Sequence, residues 1–217
     1  YMLLLLAIGV FGNILAAYYA KQMGVPIGKL ICASNKNNVL TDFINTGVYD
    51  RNREFYTTAS PSMDILISSN LERMLYMLSG KDDKEVCAWQ NDLKENGRFC
   101  VSDDVKAKIS DIFYGGCCDD EKTKATIKET FQKYGYLLDT HTAVAVAVYN
   151  EYREKTGDTS PAVIASTASP YKFADSVLDA LGCELSDDDF KKLEDLEKIS
   201  GAKIPTPIAS LKGKTRR

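Results

Sequence analysis

A chain of 217 residues that is 45% hydrophobic can bury the core of one large domain or two small ones. Its 27 basic and 30 acidic residues leave a net charge of −3, which excludes the basic face that a nucleic-acid partner requires. Six cysteines with no CxxC pair, and His141 as the one histidine, exclude the common metal frameworks and point to reduced thiols in a cytoplasmic setting.

The chain opens on a continuous apolar run, Met2 to Ile8, which suits a strand buried on both faces. The run lacks a basic flank and is too short to span a bilayer, so it reads as neither a signal nor a membrane segment. A buried strand at the very start reads as part of something longer. Gly9-Val10-Phe11-Gly12-Asn13 follows, and then Ile14, Leu15, Tyr18 and Tyr19 form one helical stripe that Gly24 stops. A strand, a glycine turn and a helix in this order converge backbone N–H groups on one point, a natural seat for a phosphate. Gly9 and Gly12 permit positive φ and close approach, and Asn13 offers an amide or a cap. The bland alternative is an ordinary buried turn.

Residues 29–34 form a second apolar run, followed by a helix carrying Val39, Leu40, Phe43 and Ile44 and closed by Gly47. This β-loop-α-β-loop-α order predicts a parallel sheet with right-handed crossovers. Ligands of such sheets gather at the carboxyl ends of strands, where Asn35, Lys36, Asn37 and Asn38 either orient a ligand or serve as turn and cap residues. Ser60-Pro61-Ser62-Met63-Asp64 predicts the start of a helix whose buried face is Ile67, Leu71, Met74, Leu75 and Leu78, with Ser68-Ser69-Asn70 as polar groups inside it. From Lys81 to Gly135 the pattern is polar and helical, with stripes at Val105, Ile109, Ile112 and Phe113 and at Ile127, Phe131 and Tyr134, and with no strand.

Asp139 and Thr140 are caps for an alanine- and valine-rich helix over 143–154, and His141 beside them is either an acid–base group or a structural anchor. The third apolar run, 161–167, ends at Thr167, expected at the carboxyl end of this strand in the same crevice as the glycine turn, where its hydroxyl either donates to a ligand nitrogen or satisfies the turn backbone. Ser169-Pro170 opens a helix with the stripe Phe173, Val177, Leu178 and Leu181. Ser186 with Asp189 forms a capping box for a last helix, and Ile204-Pro205-Thr206-Pro207 is extended.

Several strings together resemble threonine synthases of the long bacterial and fungal form. They are Gly12-Asn13-Ile14-Leu15-Ala16, Ile31-Cys32-Ala33-Ser34-Asn35-Lys36-Asn37, Ser60-Pro61-Ser62-Met63-Asp64-Ile65, Ser69-Asn70-Leu71-Glu72-Arg73, Asp139-Thr140-His141-Thr142-Ala143-Val144 and Ser166-Thr167-Ala168-Ser169-Pro170-Tyr171-Lys172-Phe173. The resemblance implies an α/β, tryptophan-synthase-β-like fold of pyridoxal-phosphate enzymes (fold type II), represented by its C-terminal portion with a helical insertion. The chain is accordingly expected to divide into residues 1–48, a βαβα part of the cofactor domain with the phosphate loop; 49–135, a helical segment or insertion; and 136–217, a return to the cofactor domain and C-terminal helices.

The implied activity is conversion of O-phospho-L-homoserine and water to L-threonine and phosphate. In the family the glycine loop holds the phosphate of pyridoxal 5′-phosphate, which maps onto Gly9, Val10, Phe11, Gly12 and Asn13. A threonine on the late strand meets the pyridine nitrogen, which maps onto Thr167. Asn35, Asn38, Ser62 and His141 are candidates for further contacts with substrate or cofactor, and no metal is implied. The expected partners are the small-molecule substrate and an N-terminal part of the same chain, with no nucleic acid and no membrane.

Two departures stand out. The family loop reads Pro-Thr-Gly-Asn-Phe-Gly-Asn, whereas Ala7, Ile8, Gly9, Val10, Phe11, Gly12 and Asn13 stand here, so a hydroxyl and an amide are lost. The family's Schiff-base lysine lies in an Ala-Phe-Lys-Asp segment, and the only Lys-Asp here, Lys81-Asp82, falls in a charged stretch. This chain alone is therefore expected not to turn over. Two alternatives are a non-catalytic phospholigand-binding module of the same fold and a pyridoxal-phosphate-dependent serine or threonine dehydratase; Ser-Pro-Ser-Met-Asp speaks against the latter.

Overall fold

A computed structural model of the chain describes residues 2–7 and 11–214, with side chains from Phe11 onward. The apolar runs become strands and the periodic segments between them become helices: β1 (Met2–Ala7), α1 (Gly12–Gln22), β2 (Ile27–Ser34) and α2 (Val39–Thr46). With β5 (Phe113–Cys117) and β6 (Ala162–Ala165), β1 and β2 form an all-parallel sheet in the order β5-β2-β1-β6. Leu4 to Ala7 of β1 lie opposite Leu30 to Ala33 of β2, and Leu3 to Leu6 lie opposite Ala162 to Ala165.

A parallel sheet has to be covered on both faces, and the alternation of β2 distributes the cover. Leu30 and Cys32 pack with Ile14 and Leu15 of α1, Val39 and Phe43 of α2, and Val105 and Ile109 of α5 (Asp103–Ile112). Ile31 and Ala33 meet Val144, Ala145 and Val148 of α7 (Thr140–Thr156) on the opposite face. A third cluster joins Ile127 of α6 (Asp120–Tyr134), Ala143 of α7, Val177 and Leu178 of α8 (Ala174–Ala180), and Leu196 of α9 (Asp189–Ser200). Beside the main sheet, β3 (Val48–Asp50) and β4 (Arg98–Cys100) pair as an antiparallel ribbon. Tyr49 and Phe99 stack across it with ring centroids 5.3 Å apart, and Phe43 and Trp89 close the aromatic box. Among the described residues no helix is long and apolar enough to cross a membrane.

Several expectations are corrected. The stretch 81–135 is not free of strands: besides α4 (Asp83–Asn96), α5 and α6 it holds β4, and it contributes β5 to the main sheet. Its Gly115-Gly116, just after the Val105–Phe113 stripe, lies within β5. A Cβ on Gly115 would stand 3.0 Å from the Thr41 carbonyl oxygen of α2, and one on Gly116 would stand 2.6 Å from Val148 Cγ1 of α7. Only glycine lets both helices approach so closely. The Ser-Pro-Ser-Met-Asp segment makes a single 3₁₀ turn over Pro61–Met63, and α3 (Leu71–Leu78) begins only after Asn70. Ile67 is therefore exposed in a loop rather than part of a helical face. Tyr134 likewise points to solvent. The last long helix is capped by Asp188, whose carboxylate accepts from Phe190 N and Lys191 N, two positions later than the expected Ser186 cap. Pro205 is followed by one helical turn, α10 (Thr206–Ala209), not by extended chain.

Candidate functional site

The strand order places a topological switch point between β1 and β6. From β1 the chain passes to α1 on one face, and from β6 it passes to a 3₁₀ turn (Pro170–Phe173) and α8 on the other. Segments leaving adjacent parallel strands toward opposite faces open a crevice at the carboxyl edge, the customary ligand site of such sheets. Because Leu6 is paired with Ala165, β1 and β6 end side by side at that edge, toward which the start of α1 and Thr167 are carried.

Gly9 and Val10 of the turn lie outside the described residues. Phe11 is the N-cap of α1 and takes φ 38°, so the left-handed residue here is Phe11 rather than Gly12. A phenylalanine in this region costs about 1–2 kcal/mol. The expense is offset by its fully buried ring, which packs 6.1 Å from Phe113. Phe11 thus offers backbone alone to the crevice. Asn13 stands within the first turn of the helix, not at the cap, and its side chain is exposed. The first bond within α1 runs from Leu15 N to Phe11 O, so the N–H groups of Gly12, Asn13 and Ile14 have no acceptor inside the helix. Among the described residues no side chain caps them, and no acidic residue stands in the first turn. This end of α1 suits an anion.

Asn35, at the end of β2, is consumed by a buried polar knot. Its amide nitrogen donates to Thr58 Oγ1 (2.8 Å), Ser60 Oγ (3.0 Å) and Asp64 Oδ1 (2.7 Å), and its oxygen accepts from Asn37 N (2.9 Å). Asn37 in turn holds Tyr56 through both backbone groups, and Asp64 also receives Thr58 N at 3.0 Å. The knot fixes the loop that carries Ser60 to Met63 along the crevice. Asn35→Ala is expected to lower unfolding stability by about 2 kcal/mol, because it strands buried donors and acceptors. A urea melt with unchanged m-value checks this.

Asn38 sits at the far end of the carboxyl edge. It accepts from Arg53 Nη1 at 3.0 Å and lies 3.9 Å from Cys117 Sγ of β5, while Arg53 pairs with Asp42 at 2.7 Å. From β5 to β6 is three strand spacings, roughly 14 Å. Asn38 therefore does not share a ligand atom with Thr167, although both line one edge.

Around Thr167 the α7 N-terminus does the positioning. Asp139 is the N-cap, accepting from His141 N (2.9 Å), Thr142 N (3.2 Å) and the Thr142 hydroxyl. Burial raises the Asp139 carboxyl pKa, but the hydrogen bonds from His141 and Thr142 outweigh it and hold the group below the usual carboxylate value. Thr142 Oγ1 also lies 3.0 Å from Ser166 Oγ, which anchors the residue just before Thr167. Thr167 itself is exposed.

His141 Nε2 accepts the backbone N–H of Ser62 at 3.1 Å, so its neutral ring carries the proton on Nδ1, beside Thr140 Oγ1 and Asp139. The ring packs 4.6 Å from Phe173. His141 thereby joins the Ser62 loop, α7 and the turn after β6. Ser62 contributes its backbone to this junction and is otherwise exposed.

Asp64, Arg53 and Thr142 organise the edge without having been singled out in the sequence. Asp64 and Thr142 lie in quoted strings, whereas Arg53 carries no local signal. Burial raises the thiol pKa of Cys117 and raises that of Cys118 to about 11, so neither is a thiolate near neutrality. Lys81-Asp82 is the surface link between α3 and α4, with Asp82 capping α4. Among the described residues no cluster could hold a metal ion.

Residues 142–209 match the family described as threonine synthase, C-terminal. Human threonine synthase-like 1 is 47% identical over 174 residues, covering 80% of this chain and 23% of that protein. The threonine synthase of Saccharomyces cerevisiae is 41% identical over 212 residues, covering 90% of this chain and 41% of the yeast protein. The crystal structure of pyridoxal-phosphate-bound threonine synthase from Brucella melitensis superposes with a TM-score of 0.79 at 41% identity, over 85% of this chain and 39% of that one. The chain thus spans less than half the length of these relatives.

Proposed function

This chain belongs to the threonine synthase family, matching the C-terminal part of its members, and from that premise we propose that it supplies one wall of a pyridoxal-phosphate site for conversion of O-phospho-L-homoserine to L-threonine and phosphate. The observation that carries the reading is the switch-point crevice, flanked by the uncapped start of α1 and by Thr167. The residues present fit the cofactor: amides with no acidic residue in their own helical turn suit its phosphate, and an exposed hydroxyl two residues past the adjacent strand suits its ring nitrogen.

When bound, pyridoxal phosphate supplies an electron sink for the carbanion at the substrate's α-carbon. Gly9 to Asn13 would hold its phosphate, chiefly through backbone N–H groups, since Phe11 buries its ring and Val10 has no amide to give. Thr167 would donate a neutral hydrogen bond to the ring nitrogen. Unlike a carboxylate partner, a hydroxyl does not stabilise a protonated ring, which leaves a milder sink and more of the proton control to the protein. Asp139, Thr142 and Ser166 hold the Thr167 turn in place, and His141 with Ser62 closes the crevice beside it. No residue here is assigned the role of the cofactor-bearing lysine. That role is proposed to belong to an N-terminal part of the same protein, in a cytoplasmic setting.

Phosphate release from O-phosphohomoserine tests the reading. It is expected when this chain is joined to an upstream segment bearing an Ala-Phe-Lys-Asp-type lysine, and is not expected from this chain alone. Release of ammonia from serine instead, with O-phosphohomoserine untouched, would overturn it.

A further inference from the structure

The segment from Ser60 to Asp64, beside the crevice, is held at both ends by packing and in its middle by His141. At one end Ser60 is buried against Asn35, whose Nδ2 donates to its Oγ at 3.0 Å, and Ala59 N donates to the Asp120 carboxylate of α6 at 3.1 Å. At the other end Met63 is buried in the cluster that holds Val144, Ala145 and Val148 of α7. Between them runs the 3₁₀ turn Pro61–Met63, whose first N–H groups find no acceptor within it. Pro61 has no N–H to satisfy. That of Ser62 goes to His141 Nε2 at 3.1 Å.

This bond exists for one charge state of the imidazole. A neutral ring with its proton on Nδ1 presents a lone pair at Nε2, and a second proton makes Nε2 a donor facing a donor. The ring is largely buried against Phe173, whereas Ser62 is exposed, so the mismatch falls on the turn. On α7 itself, the Asp139 carboxylate stands 3.4 Å from Nδ1 and gives an imidazolium a counter-charge on that side. From the turn after β6 the ring meets Phe173, with the cationic Lys172 Nζ 5.3 Å from the Phe173 centroid opposing the same charge. From the loop it meets backbone, since Asp64 is taken up by Asn35, Asn37 and Thr58, and Asp120 by Ala59 N.

We propose that His141 is a proton-operated latch on the Pro61–Met63 turn: the neutral ring holds the turn against α7 beside the crevice, and the imidazolium releases Ser62 while Ser60 and Met63 stay seated. The latch rests on this junction alone and is independent of the cofactor reading.

The test is a nuclear magnetic resonance titration of the isotopically labelled chain from pH 8 to pH 5, the interval in which histidine side chains ordinarily change charge. His141 is the one histidine of the sequence, so its ring nitrogens are identified without a variant. The Nε2 signal is expected to move from that of an acceptor nitrogen to that of a protonated one. With the same midpoint, and after correction for the intrinsic pH dependence of exchange, the Ser62 amide is expected to lose protection about tenfold. Met63 N, which donates to Ser60 O at 2.9 Å, is expected to keep its protection. His141→Gln offers an amide oxygen near the position of Nε2 and takes up no proton, so its Ser62 protection is expected to be flat across the interval. A ring that stays neutral at pH 5, or one that charges while Ser62 protection holds level, would overturn the proposal. So would a His141→Gln chain whose Ser62 amide still loses protection on acidification, because a carboxylate such as Asp64 or Asp120 would then control the turn.

Discussion

Replacing Asp139 by alanine is expected to lower the unfolding free energy by about 3 kcal/mol. The carboxylate is almost wholly buried and accepts three hydrogen bonds, two from the first-turn N–H groups of α7 and one from the Thr142 hydroxyl. Losing an N-cap typically costs about 1 kcal/mol. The rest follows from leaving the Thr142 hydroxyl and the two amides without their acceptor in a dry environment. Asp139→Asn is expected to cost less, since it keeps an oxygen at the cap but gives up the charge at the positive end of a long helix.

The pH dependence has a definite sign. The folded-state pKa is depressed, so the unfolded chain binds the proton more readily. The stabilisation is complete above the ordinary carboxylate value, about 4, and is lost as pH falls from there through the depressed value. Chemical denaturation of the parent chain and Asp139→Asn at pH 7 and near pH 3 checks this. The gap between the two is expected to shrink at the lower pH, and a gap that widened would refute the assignment. The same substitution should disturb the Thr167 turn through Thr142 and Ser166, so a weaker grip on a pyridine-type ligand should accompany the stability loss.

The second large effect is expected from Gly115→Val, again about 3 kcal/mol. A Cβ at this position already meets Thr41 backbone atoms at 3.0 and 3.1 Å, and backbone cannot rotate away as a side chain does. Branching at Cβ forces α2 off the sheet and strains two bonds that fasten it, Thr41 Oγ1 to Gly116 O (2.8 Å) and Asn45 Nδ2 to Gly115 O (3.3 Å). Asn38 stands at the N-cap position of the displaced α2, so the carboxyl edge should loosen with it. Gly115→Ala, which demands a shift of a few tenths of an ångström, is expected to cost about 1 kcal/mol. Paired thermal melts of the two variants measure the difference. Equal midpoints for valine and alanine would show that α2 does not rest on this strand as closely as described.

The candidate site was legible in parts. The Gly12-Asn13 start of α1, the Asp139 cap and Thr167 at the end of a strand are local features, written in residues adjacent in the chain, and each is where its neighbours imply. The roles of Phe11 and Asn35 were not legible. Phe11 adopts a conformation that its residue type disfavours, because its ring finds a core contact with Phe113, about a hundred residues away. Asn35 reads as a ligand contact or a turn residue until Thr58, Ser60 and Asp64 close around it.

The same division runs through the fold. By itself the sequence determined the order of strands β1, β2 and β6, the helices between them, most of their caps and the family resemblance, because hydrophobic period and capping chemistry act within a few residues. The tertiary structure alone decided that Gly115-Gly116 forms a strand. It also decided that β6 returns beside β1 on the side away from β2. Those outcomes depend on how closely distant helices can approach a sheet and on which edge a late strand finds free, quantities that no local window of residues contains.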